Sequence, residues 1–244
     1  MRRIFFAIFA ILLTIGTTAG CICLNPFHDT ITGSGVLTTI RKDFVDFSRI
    51  ELSHSFRGTI TRADGYQIEL RTDDNIVPYL LVSKIGETLK ISLESGHDYQ
   101  HTTLQADITL PDLRGLKLSG ASTAETSGFS SYHAFDSRIS GASMLSGSLF
   151  AGDMDLSLSG ASRLSLKGKG GKLRIDASGA SSLDLGDFVT NDTKVHLSGA
   201  SRATIHLTGK LDGSLSGASK LYFYGNPKLG DLSTTGASRI NKVK

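Results

Sequence analysis

The 244-residue sequence contains no tryptophan, two cysteines and four prolines. Because both cysteines lie near the N-terminus, no disulfide framework runs through the body of the chain. The shortage of proline, beside 27 glycines, excludes collagen and a Pro/Gly-rich linker. A formal net charge of +3 lacks the strong positive balance of nucleic-acid-binding proteins, so we expect no nucleic-acid partner. With 39% hydrophobic and 20% charged residues, the chain is neither a disordered tail nor a multispan membrane protein.

The first residues have the organisation of an export signal. Arg2 and Arg3 form a short positive segment, and the apolar stretch 4–15 has the length of a signal-peptide core but is too short to span a bilayer. Small residues then precede Cys21, a pattern that resembles a bacterial lipoprotein signal. We therefore predict a signal peptide at residues 1–20 and attachment to a membrane through lipid on Cys21.

Other forms of export stay open, because Thr18 stands where the lipoprotein motif usually carries leucine. Ordinary cleavage near Ala19 or Gly20 would give a secreted or periplasmic protein, and an uncleaved anchor is the third alternative. Ile22 is not the aspartate of an enterobacterial inner-membrane retention signal, which favours the outer membrane or the cell surface. Residues 21–34 are interpreted as a tether, and Cys23 receives no role because it is too close to Cys21 for an easy disulfide.

A tetrapeptide repeat dominates the rest of the chain. Ser-Gly-Ala-Ser begins at residues 119, 140, 159, 178, 198 and 216, and Thr-Gly-Ala-Ser begins at 235. The spacings are 21, 19, 19, 20, 18 and 19 residues. Such a regular period is typical of a stacked architecture.

The flanks of the repeats alternate with a period of two residues. Apolar residues recur two residues before each repeat glycine, as in Leu118 and Leu158, and four residues after it, as in Leu164 and Leu183. This pattern predicts β-strands with one buried face. The repeat glycine and the second serine have the same parity, so we expect both of them to face inward as a strip of small residues.

A unit of about 19 residues fits one coil of a solenoid, since a propeller blade needs about 40 residues. We predict an all-β fold, a single-stranded parallel β-helix, because identical residues recurring once per unit favour stacking. A meander of antiparallel hairpins is the alternative. Residues 35–244 form a single domain in this interpretation, with irregular capping coils at 35–111 and repeat coils at 112–244.

Several segments together resemble the putative auto-transporter adhesin family, also called the head GIN domain family. They are the opening Gly33-Ser34-Gly35, the strands at 47–52 and 89–93, Leu110-Pro111 and the tetrapeptides. The resemblance covers about residues 35–240. It implies a right-handed single-stranded β-helix in an exported bacterial protein, often a lipoprotein, with no catalytic residues.

The sequence offers one candidate binding surface, at Tyr222 and Tyr224. Leu221 and Phe223 have inward parity, so the two tyrosines are predicted to point outward, where they could bind a sugar or a protein. We expect a non-enzymatic, adhesin-like cell-envelope protein with no cofactor, and the oligomeric state is left open. A carbohydrate-active β-helix enzyme and an envelope structural or assembly factor are the alternatives.

The other candidate sites are weaker. His97 and His101 are interpreted as loop residues without a third metal ligand, so no metal site is expected, and Asp73-Asp74 as turn residues. Basic residues recur three positions after the repeat glycine at Arg163, Arg202, Lys220 and Arg239, where a solvated edge is the simplest interpretation. Six aspartates are scattered around the coils, and we expect no carboxylate pair to recur at one position: Asp153, Asp155, Asp184, Asp187, Asp192 and Asp212.

Overall fold

A computed structural model describes residues 29–243. The predicted signal peptide, Cys21 and Cys23 lie outside the described residues. Within them, no helix is long and apolar enough to cross a membrane.

The described chain forms 23 strands and one short 3-10 helix, Asp74–Tyr79. The first nine strands, before the repeats, are β1 (Asp29–Thr32), β2 (Leu37–Arg41), β3 (Arg49–Leu52), β4 (Arg57–Arg62), β5 (Gln67–Asp73), β6 (Leu80–Ile85), β7 (Thr88–Leu93), β8 (His97–Gln100) and β9 (Leu104–Leu110). The next eight are β10 (Gly115–Leu118), β11 (Thr123–Ser130), β12 (Phe135–Ile139), β13 (Met144–Phe150), β14 (Met154–Leu158), β15 (Arg163–Lys169), β16 (Leu173–Ala177) and β17 (Ser182–Thr190). The last six are β18 (Thr193–Leu197), β19 (Arg202–Leu207), β20 (Lys210–Leu215), β21 (Lys220–Tyr224), β22 (Lys228–Thr234) and β23 (Arg239–Lys242).

The repeat strands alternate between two sheets, so that each coil contributes one strand to each. Even-numbered strands from β10 to β22 stack in parallel in a ten-stranded sheet, and odd-numbered strands from β11 to β23 stack in parallel in an eleven-stranded sheet. The register places like residues over like, for example Leu145 on Leu164 and Leu164 on Leu183. The parallel solenoid is therefore confirmed, and the antiparallel meander is wrong for the repeats.

The core lies between the two sheets and consists of the predicted inward rows. Leu118, Leu158 and Leu164 are at most 2% exposed, and Leu183 is 1% exposed. Burying a leucine side chain contributes roughly 1.5–3 kcal/mol, so these aliphatic rows are the main source of the free energy of folding.

The tetrapeptide forms the corner between the sheets, and here the expectation of an inward glycine is wrong. The repeat glycines are exposed and adopt positive φ, 73° at both Gly160 and Gly179, because the chain turns there. A Cβ on Gly179 would lie 2.5 Å from the carbonyl oxygen of Gly160, so only glycine fits the stacked corner. The second serine is buried as predicted, and the Ser181 hydroxyl donates a 2.7 Å hydrogen bond to the carbonyl of Ser178.

The coil made by β3 and β4 is out of chain order in the stack. Strand β3 lies in parallel register between β7 and β10, and β4 lies in the same way between β9 and β11. Antiparallel strands follow on the far side, where β6 pairs with β7, and β5 pairs with β9 and β2. The part before the repeats is therefore an inserted coil and an antiparallel cap, rather than a simple series of irregular coils.

Acidic residues where β5 meets the 3-10 helix hold the chain where it enters the cap. The buried carboxylate of Asp73 accepts hydrogen bonds from the backbone N–H of Gly35 at 2.8 Å and of Thr103 at 2.7 Å. Asp74 accepts a 2.6 Å hydrogen bond from the hydroxyl of Ser34. The two aspartates are therefore not in a simple turn, as the sequence predicted, but at the junction of β5 and the 3-10 helix, where they attach residues 33–35 to the body of the domain.

Candidate binding surfaces

The two predicted tyrosines lie on the outer side of the eleven-stranded sheet, on β21. Leu221 and Phe223 point into the core, being 0% and 5% exposed, and Tyr222 and Tyr224 alternate with them and are half-buried. Neither tyrosine hydroxyl forms a hydrogen bond with any residue that the structure describes. Both side chains therefore offer a ring and an unused hydroxyl to a ligand.

Tyr224 has two neighbours that shape its surroundings. Its ring centroid lies 6.0 Å from that of His206, and the Nδ1 of His206 lies 3.3 Å from the carbonyl oxygen of Gly186. A Cβ on Gly186 would stand 3.5 Å from the Tyr224 ring. Because residue 186 is glycine, no side chain from that position covers the tyrosine.

A groove of about 690 Å³ crosses the outer side of the ten-stranded sheet. The first serines of five repeats and Thr235 line it, together with outward residues two positions earlier, such as Arg138, Asp176 and His196. Of these first serines, four have hydroxyls that make no hydrogen bond with any described residue: Ser159, Ser178, Ser198 and Ser216. The groove was not predicted from the sequence, although the outward parity of the first residue in every repeat indicates it.

Aspartates do recur at one position, so the expectation that no carboxylate pair recurs is wrong. Four of them lie five residues before a repeat glycine: Asp136, Asp155, Asp212 and Asp231. Asp136 and Asp155 are directly stacked in neighbouring strands. Asp136 forms an ion pair with Arg49, and Asp155 lies 4.0 Å from Arg174. Both carboxylates therefore belong to a charge-balanced ladder.

Three of the scattered aspartates bind the backbone of the next coil. Asp153 accepts a hydrogen bond from the N–H of Lys172 at 2.9 Å, and Asp192 accepts one from the N–H of Lys210 at 2.9 Å. Asp212 accepts a hydrogen bond from the N–H of Asp231, in the next coil, at 2.8 Å. These carboxylates help to hold neighbouring coils in register.

The other two face outward and are also engaged. Asp184 is exposed between Ser165 and Thr204, as predicted, and accepts a hydrogen bond from the N–H of Gly186 at 3.1 Å. Asp187 forms an ion pair with Lys167 at 3.1 Å.

Asp112, His133 and Ser131 come together near the start of the repeats. The Nδ1 of His133 lies 2.7 Å from the Asp112 carboxylate and 3.0 Å from the Ser131 hydroxyl. A Ser-His-Asp triad needs the two partners on opposite ring nitrogens, so this arrangement is not one. Burial acts to raise the pKa of Asp112, but hydrogen bonds, led by that from Arg114, outweigh it and lower the pKa below its usual value.

The four basic residues predicted to share a position are only partly brought together. Arg202, Lys220 and Arg239 are the first residues of β19, β21 and β23 and stack on one another, whereas Ser182 separates Arg163 from them. None of the four forms an ion pair with a described residue.

The sequence placed both histidines near the cap in a loop, which is wrong for His97 and confirmed for His101. His97 begins β8, which pairs in parallel with β1, and its ring packs against Tyr79 and Tyr99 at centroid distances of 5.1 and 5.9 Å. His101 follows the strand with φ of 52°. Among residues 29–243, no group of three potential metal ligands converges.

Solved structures with the same architecture come from species of Bacteroides and Parabacteroides. A putative adhesin from Bacteroides fragilis matches with a TM-score of 0.82 and 19% identity, over 87% of this chain and 100% of that one. A putative lipid binding protein from Parabacteroides distasonis matches with a TM-score of 0.72 and 18% identity, over 88% and 100%. A putative adhesin from Parabacteroides merdae has a TM-score of 0.63 and 16% identity over the same shares. At these identities the likeness shows a common fold.

A search of curated proteins finds no match to the chain. The family model described as putative auto-transporter adhesin, head GIN domain, matches residues 46–227, from just before the inserted coil to the coil that carries the two tyrosines. This range is well over half of the sequence, and the chain therefore belongs to the head GIN domain family of putative auto-transporter adhesins.

Proposed function

We propose that the protein is a non-enzymatic, lipid-anchored component of the cell envelope that binds a protein or glycan on the outer side of the eleven-stranded sheet, at Tyr222 and Tyr224. The observation that carries this proposal is the unused pair of tyrosine hydroxyls on half-buried rings. Tyrosines with one apolar side and one polar end are typical of binding surfaces.

The contacts of the aspartates favour binding over catalysis. A glycan-cleaving site needs two carboxyl groups free to act as acid and base or nucleophile. Asp153, Asp192 and Asp212 instead accept backbone hydrogen bonds, and the stacked Asp136 and Asp155 face arginines. These carboxylates already have structural partners.

The arrangement of the stack suits display away from a membrane. The chain enters at the cap, and nine strand-to-strand steps separate β2 from β21 in the eleven-stranded sheet. At about 4.8 Å per step, the tyrosines stand roughly 43 Å from the cap. A lipid on Cys21 would hold the cap close to the bilayer, because residues 29–32 of the predicted tether form β1 and pair with β8. The outer membrane is the favoured location.

The anchor is tested with Cys21→Ala. We expect the wild-type protein to incorporate labelled palmitate and fractionate with membranes, and the variant to lose both properties. Retention of the variant in the membrane fraction, without label, would instead support an uncleaved anchor.

Ligand binding is tested with the soluble form, residues 24–244, which keeps every described strand. It is used in a pull-down from envelope extract and on a glycan array, beside the double variant Tyr222→Ala/Tyr224→Ala and the control Lys194→Ala on the other sheet. We expect a specific ligand that only the double variant loses. Turnover of a polysaccharide that is abolished by Asp155→Asn would contradict the non-enzymatic proposal.

A further inference from the structure

The outer side of the eleven-stranded sheet carries a row of aromatic, apolar and cationic residues at the end opposite the repeat corners. Five successive coils each contribute one residue to it through direct strand register, from Phe150 to Tyr224. Tyr132 extends the row by packing edge-to-face on Phe150, with ring centroids 5.7 Å apart. The six residues of this aromatic strip are Tyr132, Phe150, Lys169, Val189, His206 and Tyr224.

Bulges create this alignment. Phe150 and Lys169 lie nine residues after their repeat glycines, Val189 lies ten after, and His206 and Tyr224 lie seven after. Register shifts between Ser165 and Gly168, and between Leu185 and Val189, bring these unequal positions into one row. A bulge re-aims side chains at the cost of a local loss of pairing, so the strip is a product of the fold.

The strip is accessible and its polar groups are available. Tyr132 is 90% exposed and Val189 is 36% exposed, while the Phe150, His206 and Tyr224 side chains are half-buried. The Lys169 ammonium lies 4.7 Å above the Phe150 ring and forms no ion pair with a described residue. The hydroxyls of Tyr132 and Tyr224 likewise have no partner among described residues.

The dimensions of the strip select its occupant. Four steps of about 4.8 Å make the strip roughly 20 Å long from Phe150 to Tyr224, and it is one side chain wide. Its area is therefore far below the roughly 800 Å² that each partner buries in a stable protein interface. An extended peptide would bind by adding a strand at a sheet edge, whereas the strip lies on a sheet face whose backbone groups are already paired. A linear glycan needs neither a large interface nor a free sheet edge. Its sugar rings stack on aromatic faces, and its hydroxyl groups form hydrogen bonds with side chains.

We propose that the aromatic strip is the binding site for an extended linear glycan of about five or six sugar units lying along the solenoid axis. The rings of Tyr132, Phe150 and Tyr224 contact the sugar rings, and the unpaired Lys169 at the middle binds a carboxylate where the glycan carries one. This deepens the proposed function: it rests on the same outer face and on Tyr224, and it adds Tyr132 as a contact. Tyr222 belongs to the adjacent row, with Thr204 and Asn241.

The test measures binding by calorimetry, using the full chain in detergent and a panel of neutral and uronate-bearing linear hexasaccharides with their disaccharides. We expect at least one hexasaccharide to bind tenfold or more tightly than its disaccharide. Tyr132→Ala and Tyr224→Ala should each weaken that binding at least fivefold, with the control Lys194→Ala on the ten-stranded sheet unchanged. Lys169→Ala should weaken only uronate-bearing chains, about threefold.

The variants separate the two proposals. Because Tyr132 is 90% exposed, its loss should leave the melting temperature unchanged, so weaker binding would report on contact. Weakening by Tyr222→Ala and Tyr224→Ala without any effect of Tyr132→Ala would overturn the strip and keep the tyrosine surface. Absence of hexasaccharide binding, or equal affinity of the wild type, Tyr132→Ala and Tyr224→Ala, would overturn the strip as a glycan site.

Discussion

The repeats and the coil of β3 and β4 turn the same corner with different residues. In the repeats, glycine occupies the left-handed turn, and the N–H of Ala161 donates a 2.8 Å hydrogen bond to the carbonyl of Gly141 in the coil before. In the inserted coil, His54 and Ser55 take the turn with φ of 60° and 64°, and the buried Phe56 follows.

The difference lies in what each corner must contact. Stacked identical corners leave no space for a side chain at the glycine, so the tetrapeptide is repeated. The inserted coil meets a repeat on one side only, where the N–H of Ser55 donates a 2.8 Å hydrogen bond to the carbonyl of Gly120. It tolerates left-handed non-glycine residues, at a cost of order 1–3 kcal/mol each, because particular neighbours hold them.

The largest expected effect is from a charge placed in the core of the repeats. Leu183→Asp, or equally Leu164→Asp, would bury an unpaired carboxylate and cost about 3–5 kcal/mol. Circular dichroism should show lost β-structure and a lower melting temperature. Hydrogen exchange should locate the loss in the repeat coils, with slower exchange persisting in the inserted coil and the cap.

The matched control is Ser182→Asp. Ser182 points outward beside Leu183 and stands between Arg163 and Arg202, so a carboxylate there should be tolerated. Unchanged melting of Leu183→Asp would contradict the inward placement of that row.

The second-largest effect is expected from a substitution at a corner glycine. In Gly179→Ala, the new methyl group would clash with the carbonyl of Gly160 at a left-handed turn, costing about 1–3 kcal/mol in chemical denaturation. Gly65→Ala, in a turn of the cap with nothing within 4 Å, should be close to neutral. Equal effects of the two substitutions would mean that stacking does not restrict the corner.

The buried serines sharpen the comparison within the repeats. Ser181→Ala removes a 2.7 Å hydrogen bond and should cost about 1 kcal/mol in urea unfolding. Ser143 has the equivalent position nearer the inserted coil, but its hydroxyl has no partner. Ser143→Ala should therefore be neutral or stabilising, and a loss as large as that of Ser181→Ala would disprove the difference between the two sites.

The smallest effect is expected at the junction between the two parts, where Asp112 contacts His133. Because the folded protein holds the pKa of Asp112 below its usual value of 3.8, ionised Asp112 favours the folded state above that pH. This contribution should decrease as the pH falls below 3.8 toward the lowered pKa.

The measurement is the urea midpoint at pH 6 and pH 3. Asp112→Asn should lower the midpoint at pH 6 and have less effect at pH 3. Asp43→Asn, at an exposed carboxylate without an ion pair among the described residues, is the control. The same loss at both pH values would show that the carboxylate charge is not what stabilises the junction.

The repeats were predictable because a residue that recurs once per coil stacks on its equivalents in the neighbouring coils. The alternation within each strand was enough to predict that Leu164 and Leu183 face the core. The glycine was misplaced because parity holds within a strand and not through a corner, where φ becomes positive. The order of the inserted coil was not predictable, because no repeated residue marks which coil β3 pairs with.

The candidate site likewise has one part that the sequence predicts and one part that it does not. The outward direction of Tyr222 and Tyr224 followed from their strand alone. The aromatic strip did not, because its members lie at unequal distances from the repeat glycines and only the bulges align them. The aligned Asp136 and Asp155 were visible in the sequence and were overlooked.

The measurement that tests the central claim most directly is ligand capture by three single-residue variants of the full chain, compared side by side on the same glycan array. Tyr224→Ala changes the predicted tyrosine surface, Tyr132→Ala changes the far end of the strip, and Arg138→Ala changes the serine-lined groove on the other sheet. The account predicts that the first two lose the ligand and the third keeps it. Loss by Arg138→Ala alone would contradict it and place binding on the ten-stranded sheet.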